Sequence, residues 1–513
     1  MPFSQQHAWL AGLLTLPWLW PFTSGPVAVT QPYLASAVLA ALALAWWPVR
    51  DRATAVQAVA AAWLAAAVAS SVIALLQYFD LEAALYPWVN IAQPGQAFGN
   101  LRQPNQLASL LVMGALALRW WVQAGRVRLL AAVALGVLLM AALAATASRV
   151  GLVALLGGGA LVAWWSVRAG PGQRPMVALL AVAAAVGAYA LTALALPGLA
   201  QWADGVAGRD MLERLRSAES TCGSRLILWR NVLHLIGLKP WTGWGWGELD
   251  YAHYITLYDG PRFCHILDNA HNLPLHLAVE LGVPVAILVC GGLAWALWRG
   301  RPWAEQDATR QLAWGVLAVI GIHSLVEYPL WYGPFQIAVA LCVWLLWTTR
   351  RDATHAENAP LAGLNALRYM AAAAMLAATA YAGWDYHRVS QIYRPLEQRA
   401  APYRGDAMAH AQRSWLYADV VRFAEVTTRP AVRDNAAWML PAALRALHFS
   451  PEPRVITKVI ESATLLGQDE LALAHLARFR AAFPKEHAKW VADNARVLEG
   501  ARGRLQRGGE RQE

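Results

Sequence analysis

Residues 54 to 77 read TAVQAVAAAWLAAAVASSVIALLQ, a run of 24 residues without a charged side chain. At a rise of about 1.5 Å per residue, a helix of this length exceeds the roughly 30 Å of hydrocarbon in a bilayer. Similar runs recur through the first three quarters of the chain and predict about eleven membrane spans. These cover residues 9 to 23, 32 to 48, 54 to 77, 105 to 121, 128 to 146, 150 to 167, 175 to 196, 272 to 298, 311 to 329, 334 to 349 and 367 to 384. The expected fold is an all-α polytopic membrane protein.

The composition of the whole chain agrees with this fold class. Hydrophobic residues make up 58% and charged residues only 14% of the 513 positions, and the mean hydropathy is +0.35. A soluble globular protein carries about a quarter of charged residues, so that class is excluded. The net charge of +10 comes largely from arginines in short connectors and in the C-terminal tail. Because these arginines are not interleaved with aromatic residues, no nucleic-acid partner is expected.

Positive charges in the connectors predict the orientation of the spans. Arginines fall on every second connector, and the positive-inside rule places that side in the cytoplasm. The connectors that carry them include Arg50 and Arg52, Arg119 to Arg128, Arg168 and Arg174, Arg299 to Arg310, and Arg350 to Arg368. The long polar loop and the polar C-terminal region then lie on the opposite, outer side of the membrane. The predicted divisions are N-terminal transmembrane helices over 1–196, a large outer loop over 197–270, C-terminal transmembrane helices over 271–384 and a soluble helical domain over 385–513.

Two polar regions outside the membrane have patterns of their own. In the outer loop, helical periodicity is expected over 213 to 218 and over 223 to 238. Cys222 and Cys264 share this loop, where an oxidising compartment permits a disulfide, but the sequence leaves open whether they pair. In the C-terminal domain, Gly467 separates two helical patterns, 455 to 466 and 470 to 482. This helix-turn-helix resembles a single tetratricopeptide unit.

Amides, guanidiniums and imidazoles gather where the predicted spans meet the outer side. Such groups are expensive in hydrocarbon, so a cluster of them at one depth predicts a functional site. The candidates are Gln103 and Asn105 before the fourth span, Arg149 after the fifth, Arg225 in the loop, His271 and Asn272 before the eighth, and His323, Glu327 and Tyr328 at the end of the ninth.

These side-chain types predict the chemistry of the site. Arg149 and Arg225 carry permanent charges and fork two hydrogen bonds onto phosphate oxygens, which suits a diphosphate. Because an imidazole in general titrates near neutral pH, His271 could accept a proton from a hydroxyl nucleophile or donate a hydrogen bond, and Glu327 could orient a neighbour. Tyr328 could instead be an ordinary interfacial aromatic residue. The scattered carboxylates have no spacing suited to a metal, so neither a metal nor a cofactor is expected.

Four short motifs carry a family resemblance. They are Gln-Pro-Asn-Gln at 103 to 106, Ser-Arg at 148 and at 224, His-Asn followed by Glu-Leu-Gly at 271 to 282, and His-Ser-Leu-Val-Glu-Tyr-Pro at 323 to 329. With them the chain resembles the bacterial O-antigen ligases, O-antigen polymerases and O-linked protein oligosaccharyltransferases. The last motif and the helical C-terminal extension are most similar to the PglL-type oligosaccharyltransferases.

The resemblance implies a GT-C-like membrane glycosyltransferase. Such an enzyme takes a glycan from undecaprenyl diphosphate at the periplasmic face of the inner membrane. It transfers the glycan with inversion, and without a metal, to Ser or Thr of a pilin or another periplasmic protein. By the same resemblance His271 is the essential histidine, Arg149 and Arg225 engage the diphosphate, and Gln103 and Tyr328 matter for protein glycosylation. Asn105, Asn272, His323 and Glu327 are expected to bind substrate or support the site.

Other functions share much of this pattern. An O-antigen ligase uses the same donor with lipid A-core as acceptor, and a polymerase uses a second lipid-linked glycan. A transporter of lipid-linked glycans is a different class. It would place polar residues through the middle of the bilayer and on both faces, whereas here they gather outside. The pattern therefore favours transfer over transport.

Overall fold

The computed structural model describes residues 5–23, 25–48, 51–168, 175–204, 222–349 and 361–509. Within these ranges the regular structure consists of α-helices and short 3-10 turns, with no strand. The helices are α1 Gln5–Leu19, α2 Thr30–Ala45, α3 Arg52–Tyr78, α4 Pro104–Gln123, α5 Leu129–Ala145, α6 Arg149–Val167, α7 Pro175–Asp204, α8 Arg225–Leu238, α9 Leu249–Ile255, α10 Leu273–Leu281, α11 Val283–Gly300, α12 Ala308–Ser324, α13 Gly333–Thr348, α14 Leu361–Ser390, α15 Ala407–Ala411, α16 Ala418–Thr428, α17 Ala436–Phe449, α18 Pro453–Leu465, α19 Asp469–Ala482 and α20 Pro484–Gly509.

Every apolar run that predicts a span coincides with helical structure. Four helical stretches are long and apolar enough to cross a membrane, namely Arg52–Tyr78, Arg149–Val167, Pro175–Trp202 and Val283–Ala304. Shorter apolar helices occupy Thr30–Ala45, Leu129–Ala145 and Gly333–Thr348. In its described residues the protein is therefore a helical membrane protein, as the composition predicts.

The single span predicted over 272 to 298 is wrong as one continuous helix. Helix α10 ends at Leu281 and α11 begins at Val283, with Gly282 between them at a φ of +88°. The carbonyl of Trp241 packs so closely on Gly282 that a Cβ there would collide with it. A hydropathy window averages over this break, because a single glycine changes the mean hydropathy of the window very little. With 9 residues, α10 is too short to cross a bilayer.

The chain divides into two compact units. The first unit comprises Met1–Ala218, His271–Leu273 and Gly291–Trp384, and the second comprises Glu219–Ala270, Pro274–Cys290 and Asp385–Glu513. The second unit thus combines the outer loop, most of α10 and the C-terminal helices. The sequence divides the chain by hydropathy, whereas the structure groups these segments by their packing.

Helix α4 is the centre of the first unit. It packs against α3, α5, α6 and α12, and most of its residues are buried. Small residues permit these close crossings. A Cβ on Gly151 of α6 would lie 2.6 Å from the Cβ of Ala108 in α4, and Gly114 packs in the same way on Ala67 of α3. Van der Waals contact at such crossings is a main source of helix association in lipid. The outer end of α4 is thereby fixed among its neighbours.

In the second unit the outer loop has a hydrophobic cluster of its own and also contributes Tyr254 to the core of the C-terminal helices. Helix α9 packs against α8, α17 and α19, and its Tyr254 is buried among residues of the C-terminal helices. The Tyr254 hydroxyl lies 2.9 Å from His475 Nδ1. A disulfide joins Cys222 to Cys264, which answers the question that the sequence leaves open.

The structure confirms two predicted helical patterns in the second unit. Helix α8 covers the pattern predicted over 223 to 238, and α18 and α19 form the predicted pair around Gly467. Assignment of that pair to the tetratricopeptide class stays a prediction. The helical pattern over 213 to 218 lies outside the described residues.

Candidate active site

His271 and Glu327 form a hydrogen-bonded pair in the first unit. The Nδ1 atom of His271 lies 2.7 Å from Glu327 Oε2, and the two side chains are 20% and 8% exposed. A carboxylate only accepts hydrogen bonds, so Nδ1 carries the hydrogen and Nε2 is the nitrogen that takes up a proton. The carboxylate also stabilises the imidazolium that results. The pair has the arrangement of a general base with its orienting group.

A line of hydrogen bonds extends from Glu327 into the first unit. Asn105 donates from Nδ2 to Glu327 Oε1 at 3.2 Å and accepts at Oδ1 from Ser148 Oγ at 2.7 Å. The same Ser148 hydroxyl accepts from the backbone N–H of Gly151 at 2.9 Å and so caps helix α6. Both oxygens of the carboxylate are thus engaged, which fixes its rotamer and with it the His271 ring.

Three non-glycine residues with positive φ lie at the entries to helices in this region. Arg102 has a φ of +61° directly before Gln103, Ala147 has +45° directly before Ser148, and His271 itself has +48°. A left-handed backbone costs a non-glycine residue about 1 to 2 kcal/mol. Such strain is concentrated at functional sites, where the surroundings hold it in place. Here it delivers the starts of α4 and α6 next to each other.

The predicted residues Gln103 and His323 have structural partners. Gln103 is the N-cap of α4, because its side-chain oxygen accepts from the backbone N–H of Gln106 at 2.6 Å. His323 is 1% exposed, and its Nδ1 lies 2.9 Å from Ser109 Oγ. Both residues also line a cleft that Glu327 and Tyr328 complete. They shape the site rather than offering it a reactive group.

Tyr328 and Asn272 adjoin the His271–Glu327 pair. The ring of Tyr328 meets the His271 ring edge-on, with 4.9 Å between centroids. Asn272 donates from Nδ2 to the carbonyl oxygen of Leu325 at 2.9 Å. This bond ties the residue after His271 to the turn that carries Glu327, so the two halves of the pair share a rigid frame.

The backbone before His271 is held by groups of the second unit. The Trp229 indole donates to the carbonyl oxygen of Ala270 at 3.1 Å. Asn269 Nδ2 lies 3.5 Å from His276 Nε2, and that nitrogen lies 3.5 Å from Glu280 Oε2. His276 and Glu280 are almost fully buried, at 2% and 1% exposure. These contacts fix the two residues that precede His271 in the chain.

The two candidate phosphate-binding arginines each open a helix. Arg149 is exposed at the first position of α6, directly after the capping Ser148. Arg225 is the first residue of α8 in the second unit, where Ser224 Oγ accepts from the N–H of Ile227 at 3.3 Å. A helix start presents unpaired N–H groups and the positive end of the helix dipole, both of which attract an anion.

In the first unit, therefore, the structure brings together most of the residues predicted from the sequence. His271, Glu327, Asn105, Asn272 and Tyr328 form one contact network, which reaches Arg149 through its neighbour in the chain. Arg225 belongs to the second unit, where it is the first residue of α8. The network can take a proton from a hydroxyl at one end and offers a cation at the other.

Sequence reasoning missed Ser109, and it quoted Ser148 and Gln106 within the family motifs without giving either a role of its own. A serine before a helix is a recognisable N-cap signal, so the capping role of Ser148 could have been predicted. Its bond to Asn105 could not, because the two residues are 43 positions apart and periodicity carries no information on such a pairing.

Comparison with known proteins supports a glycan-transfer family over separate stretches of the chain. Residues 97–122 match the model described as protein glycosylation ligase, residues 134–290 match O-antigen ligase, and residues 311–498 match the C-terminal part of virulence factor membrane-bound polymerase. The first stretch contains Gln103 and Asn105, the second Arg149, Arg225 and His271, and the third Glu327 and Tyr328.

A curated relative points the same way. The general O-oligosaccharyltransferase of Acinetobacter baylyi is 23% identical over 334 residues, which is 64% of this chain. The match spans only about half of that relative, 56% of its length. Taken with the family models, it supports a similarity of the chain to the O-antigen ligases and the PglL-type O-linked oligosaccharyltransferases.

Proposed function

We propose that this protein is an O-oligosaccharyltransferase that moves a glycan from undecaprenyl diphosphate to a Ser or Thr hydroxyl of a pilin or another periplasmic protein. The observation that carries the proposal is the His271–Glu327 pair, held by Asn105 beside the start of α6 where Arg149 lies. It joins a base for the acceptor hydroxyl to a cation for the leaving group.

The proposed reaction is an inverting displacement. The acceptor O–H gives its proton to His271 Nε2, while the acceptor oxygen forms a bond to the anomeric carbon. The bond from that carbon to the phosphate oxygen breaks, and undecaprenyl diphosphate leaves with the electron pair. Glu327 stabilises the imidazolium through Nδ1. Positioned general bases contribute about 10² to 10⁴ in rate.

Charge on the departing diphosphate is the second task of the site. Arg149 and Arg225 are proposed to bind it, since a guanidinium forks two hydrogen bonds onto phosphate oxygens. The starts of α4 and α6 add the positive ends of two helix dipoles on the side of the first unit that carries Arg149. Metal independence is part of the proposal, as the family resemblance implies.

The proposed setting is the bacterial inner membrane, with about eleven spans and the site facing the periplasm. Arginine-bearing connectors on the opposite side support this orientation. The Cys222–Cys264 disulfide also fits an oxidising compartment for the outer loop. The C-terminal helices would then lie in the periplasm, where acceptor proteins are found.

An O-antigen ligase that uses lipid A-core as acceptor is the second candidate. The match to the O-antigen ligase model over 134–290 favours it, because that stretch contains His271 and both arginines. The protein acceptor is preferred on two grounds. The start of α4 matches the protein glycosylation ligase model, and the relative that matches over 64% of this chain is a general O-oligosaccharyltransferase.

A cell-based assay separates these possibilities. Cells that make lipid A-core, a lipid-linked glycan and a candidate pilin would express the wild type, His271→Ala or His234→Ala. The last is a matched control, since His234 is an exposed histidine of α8. Glycosylated pilin is expected with the wild type and the control and is absent with His271→Ala. Capped lipid A-core beside unmodified pilin would refute the protein acceptor, and full activity of His271→Ala would refute the role of His271.

A further inference from the structure

Helix α8 carries an exposed apolar face that the proposed mechanism does not use. One side of α8 packs into the hydrophobic cluster of the outer loop. On the opposite side Leu226, Leu233 and Leu238 are 59%, 55% and 53% exposed. A single exposed leucine needs no explanation, but several on one helix face mark a surface that meets a partner or a membrane.

The turn directly after α8 presents an exposed tryptophan. Trp241 is 78% exposed, although the backbone around it is held by a hydrogen bond from the Gly243 N–H to the Lys239 carbonyl oxygen at 3.1 Å. An indole is large and apolar but carries one N–H donor, so tryptophan is enriched where hydrocarbon meets water. An ordered turn that leaves such a side chain uncovered indicates an environment of that mixed kind.

The same turn is fixed to the start of α11. The carbonyl oxygen of Pro240 accepts from the N–H of Val283 at 2.8 Å. The carbonyl oxygen of Trp241 packs on Gly282, where a Cβ would lie only 2.3 Å from it. These residues all belong to the second unit. Because Val283 begins the apolar stretch Val283–Ala304, which is long enough to cross a membrane, Trp241 lies at the level where a span starts.

The first turns of α11 have an apolar surface that faces away from the protein. Ile287 and Leu288 are 66% and 75% exposed, and Ala286 is the one buried residue of this helix. On a membrane span, exposed side chains of this kind meet hydrocarbon. At a rise of about 1.5 Å per residue, Ile287 lies about 6 Å farther along the helix than Val283. The turn that carries Trp241 therefore borders a lipid-facing surface at its headgroup end.

The charge of this stretch suits a phospholipid surface. From residue 224 to residue 247 the chain has no Asp or Glu, whereas it carries Arg225, Arg230 and Lys239. Arg230 and Lys239 are exposed. Basic residues beside large apolar ones are typical of helices that lie in the membrane interface. Their charged ends meet lipid phosphates, while their aliphatic stems and the apolar side chains enter the boundary of the acyl chains.

We infer that the exposed face of α8 and the Trp241 turn lie in the headgroup region of the membrane leaflet at the start of α11, with bulk phospholipid as their partner. The Trp241 indole is the anchor, and Arg230 and Lys239 contact lipid phosphates. The inference does not depend on the proposed function, because it uses neither the glycan nor its carrier. It goes beyond that function by seating the outer loop on the membrane surface.

Spin labels measure the depth of this surface directly. Full-length protein with both free cysteines replaced by alanine would carry one nitroxide, at Trp241→Cys or at Leu473→Cys. Leu473 is the matched control, since it is a 64% exposed apolar residue of α19 in the same unit. In phospholipid nanodiscs without a glycan carrier, the ratio of collisions with oxygen to collisions with a water-soluble nickel chelate should be several-fold higher at position 241. Equal ratios at the two positions would overturn the inference.

A charge at the anchor should bring the turn out of the lipid. Trp241→Glu removes little packing within the protein, because the side chain is largely exposed. With the nitroxide at Leu238→Cys, Trp241→Glu should raise collisions with the nickel chelate several-fold, whereas Trp241→Phe and the control Leu473→Glu should change them little. An unchanged melting temperature checks that the loop stays folded. No response to Trp241→Glu, or an equal response to Leu473→Glu, would contradict the inference.

Other occupants of this face would give different signals. A second copy of the chain would protect the label at position 241 from both collision partners and broaden its spectrum until unlabelled protein dilutes it. A glycan carrier and an acceptor protein are absent from these nanodiscs, so a face reserved for either would stay exposed to the nickel chelate. Each of these results excludes bulk phospholipid as the partner and overturns the inference.

Discussion

His253 lies within the loop over 197–270 and His271 directly follows it, yet the two histidines have opposite surroundings. His271 Nδ1 meets the carboxylate of Glu327 at 2.7 Å, and its side chain is 20% exposed. His253 is 3% exposed. Its Nε2 lies 3.1 Å from the carbonyl oxygen of Phe263, and its Nδ1 lies 2.8 Å from the Tyr258 hydroxyl.

The partners decide what each imidazole can do. A carbonyl only accepts, so His253 must donate from Nε2 and accept from Tyr258 at Nδ1, which uses both nitrogens. Burial, helped by the nearby charge of Arg262, lowers the pKa of His253 to about 3. His253 is therefore a neutral structural group. At His271 the carboxylate partner is instead placed to stabilise the imidazolium that a general base becomes once it has reacted.

The largest effect should follow from removing the negative charge of Glu327, which distinguishes the surroundings of His271 from those of His253. Glu327→Gln leaves an oxygen that can accept from His271 Nδ1 but no longer stabilises the imidazolium. We expect kcat to fall by about 10² to 10³, with a melting temperature close to that of the wild type. Transfer to an acceptor peptide and a thermal melt measure the two effects. A kcat within a few-fold of the wild type would show that His271 works without its carboxylate.

The opposite result is expected at His253. His253→Ala removes two buried hydrogen bonds and leaves a cavity in the second unit, which should destabilise it by about 2 to 4 kcal/mol. Unfolding of the full-length protein in detergent measures this loss. The kcat of the molecules that remain folded should match the wild type. If kcat falls while stability holds, His253 belongs to the catalytic machinery and the contrast between the two histidines fails.

Much of this contrast could be anticipated from sequence, and the reasons are physical. A histidine at the boundary between a polar loop and an apolar run is conspicuous, because charge is costly there. Most helix positions followed from the apolar runs, but the break at Gly282 did not. The pairing of His271 with Glu327 over 56 positions did not, since only the packed helices bring them together. The burial of α9 among the C-terminal helices could not be predicted either. A helix of 7 residues is too short to show a clear hydrophobic periodicity.

A smaller effect tests how the network holds Glu327. Asn105→Ala removes the donor to Glu327 Oε1, and we expect about a tenfold lower kcat, as for one hydrogen bond to a charged group. Ser148→Ala should have a smaller effect of the same kind. Because Asn105 bonds both neighbours, the double variant should lose less than the sum of the two single losses.

Ser166→Ala is the control for this series. Ser166 lies at the far end of the same helix α6 and is buried, and its hydroxyl donates to the carbonyl oxygen of Val162 in its own helix. It should leave kcat unchanged. Strictly additive effects of Asn105→Ala and Ser148→Ala would mean that the two residues act separately, and that the line of hydrogen bonds does not reach Glu327 as a unit.

The smallest effect concerns Asp250, a carboxylate of the second unit. Among the described residues it forms no ion pair with a histidine, as Glu327 does with His271. Burial raises the pKa of Asp250 to about 8, and the nearby Glu248 and Asp268 carboxylates add to this, against an opposing backbone hydrogen bond from Tyr251. The folded pKa lies above the unfolded value. The folded state therefore holds a proton that the unfolded state loses between about pH 4 and pH 8, and stability contributed by Asp250 falls across that window.

Asp250→Asn cannot ionise, so it should escape this loss. We expect wild type and variant to melt alike near pH 4, and the variant to melt higher by about 3 °C or more at pH 8, a shift that corresponds to roughly 1 kcal/mol. Melting curves of both proteins at several pH values measure the divergence. A constant difference across the range would mean that Asp250 ionises freely.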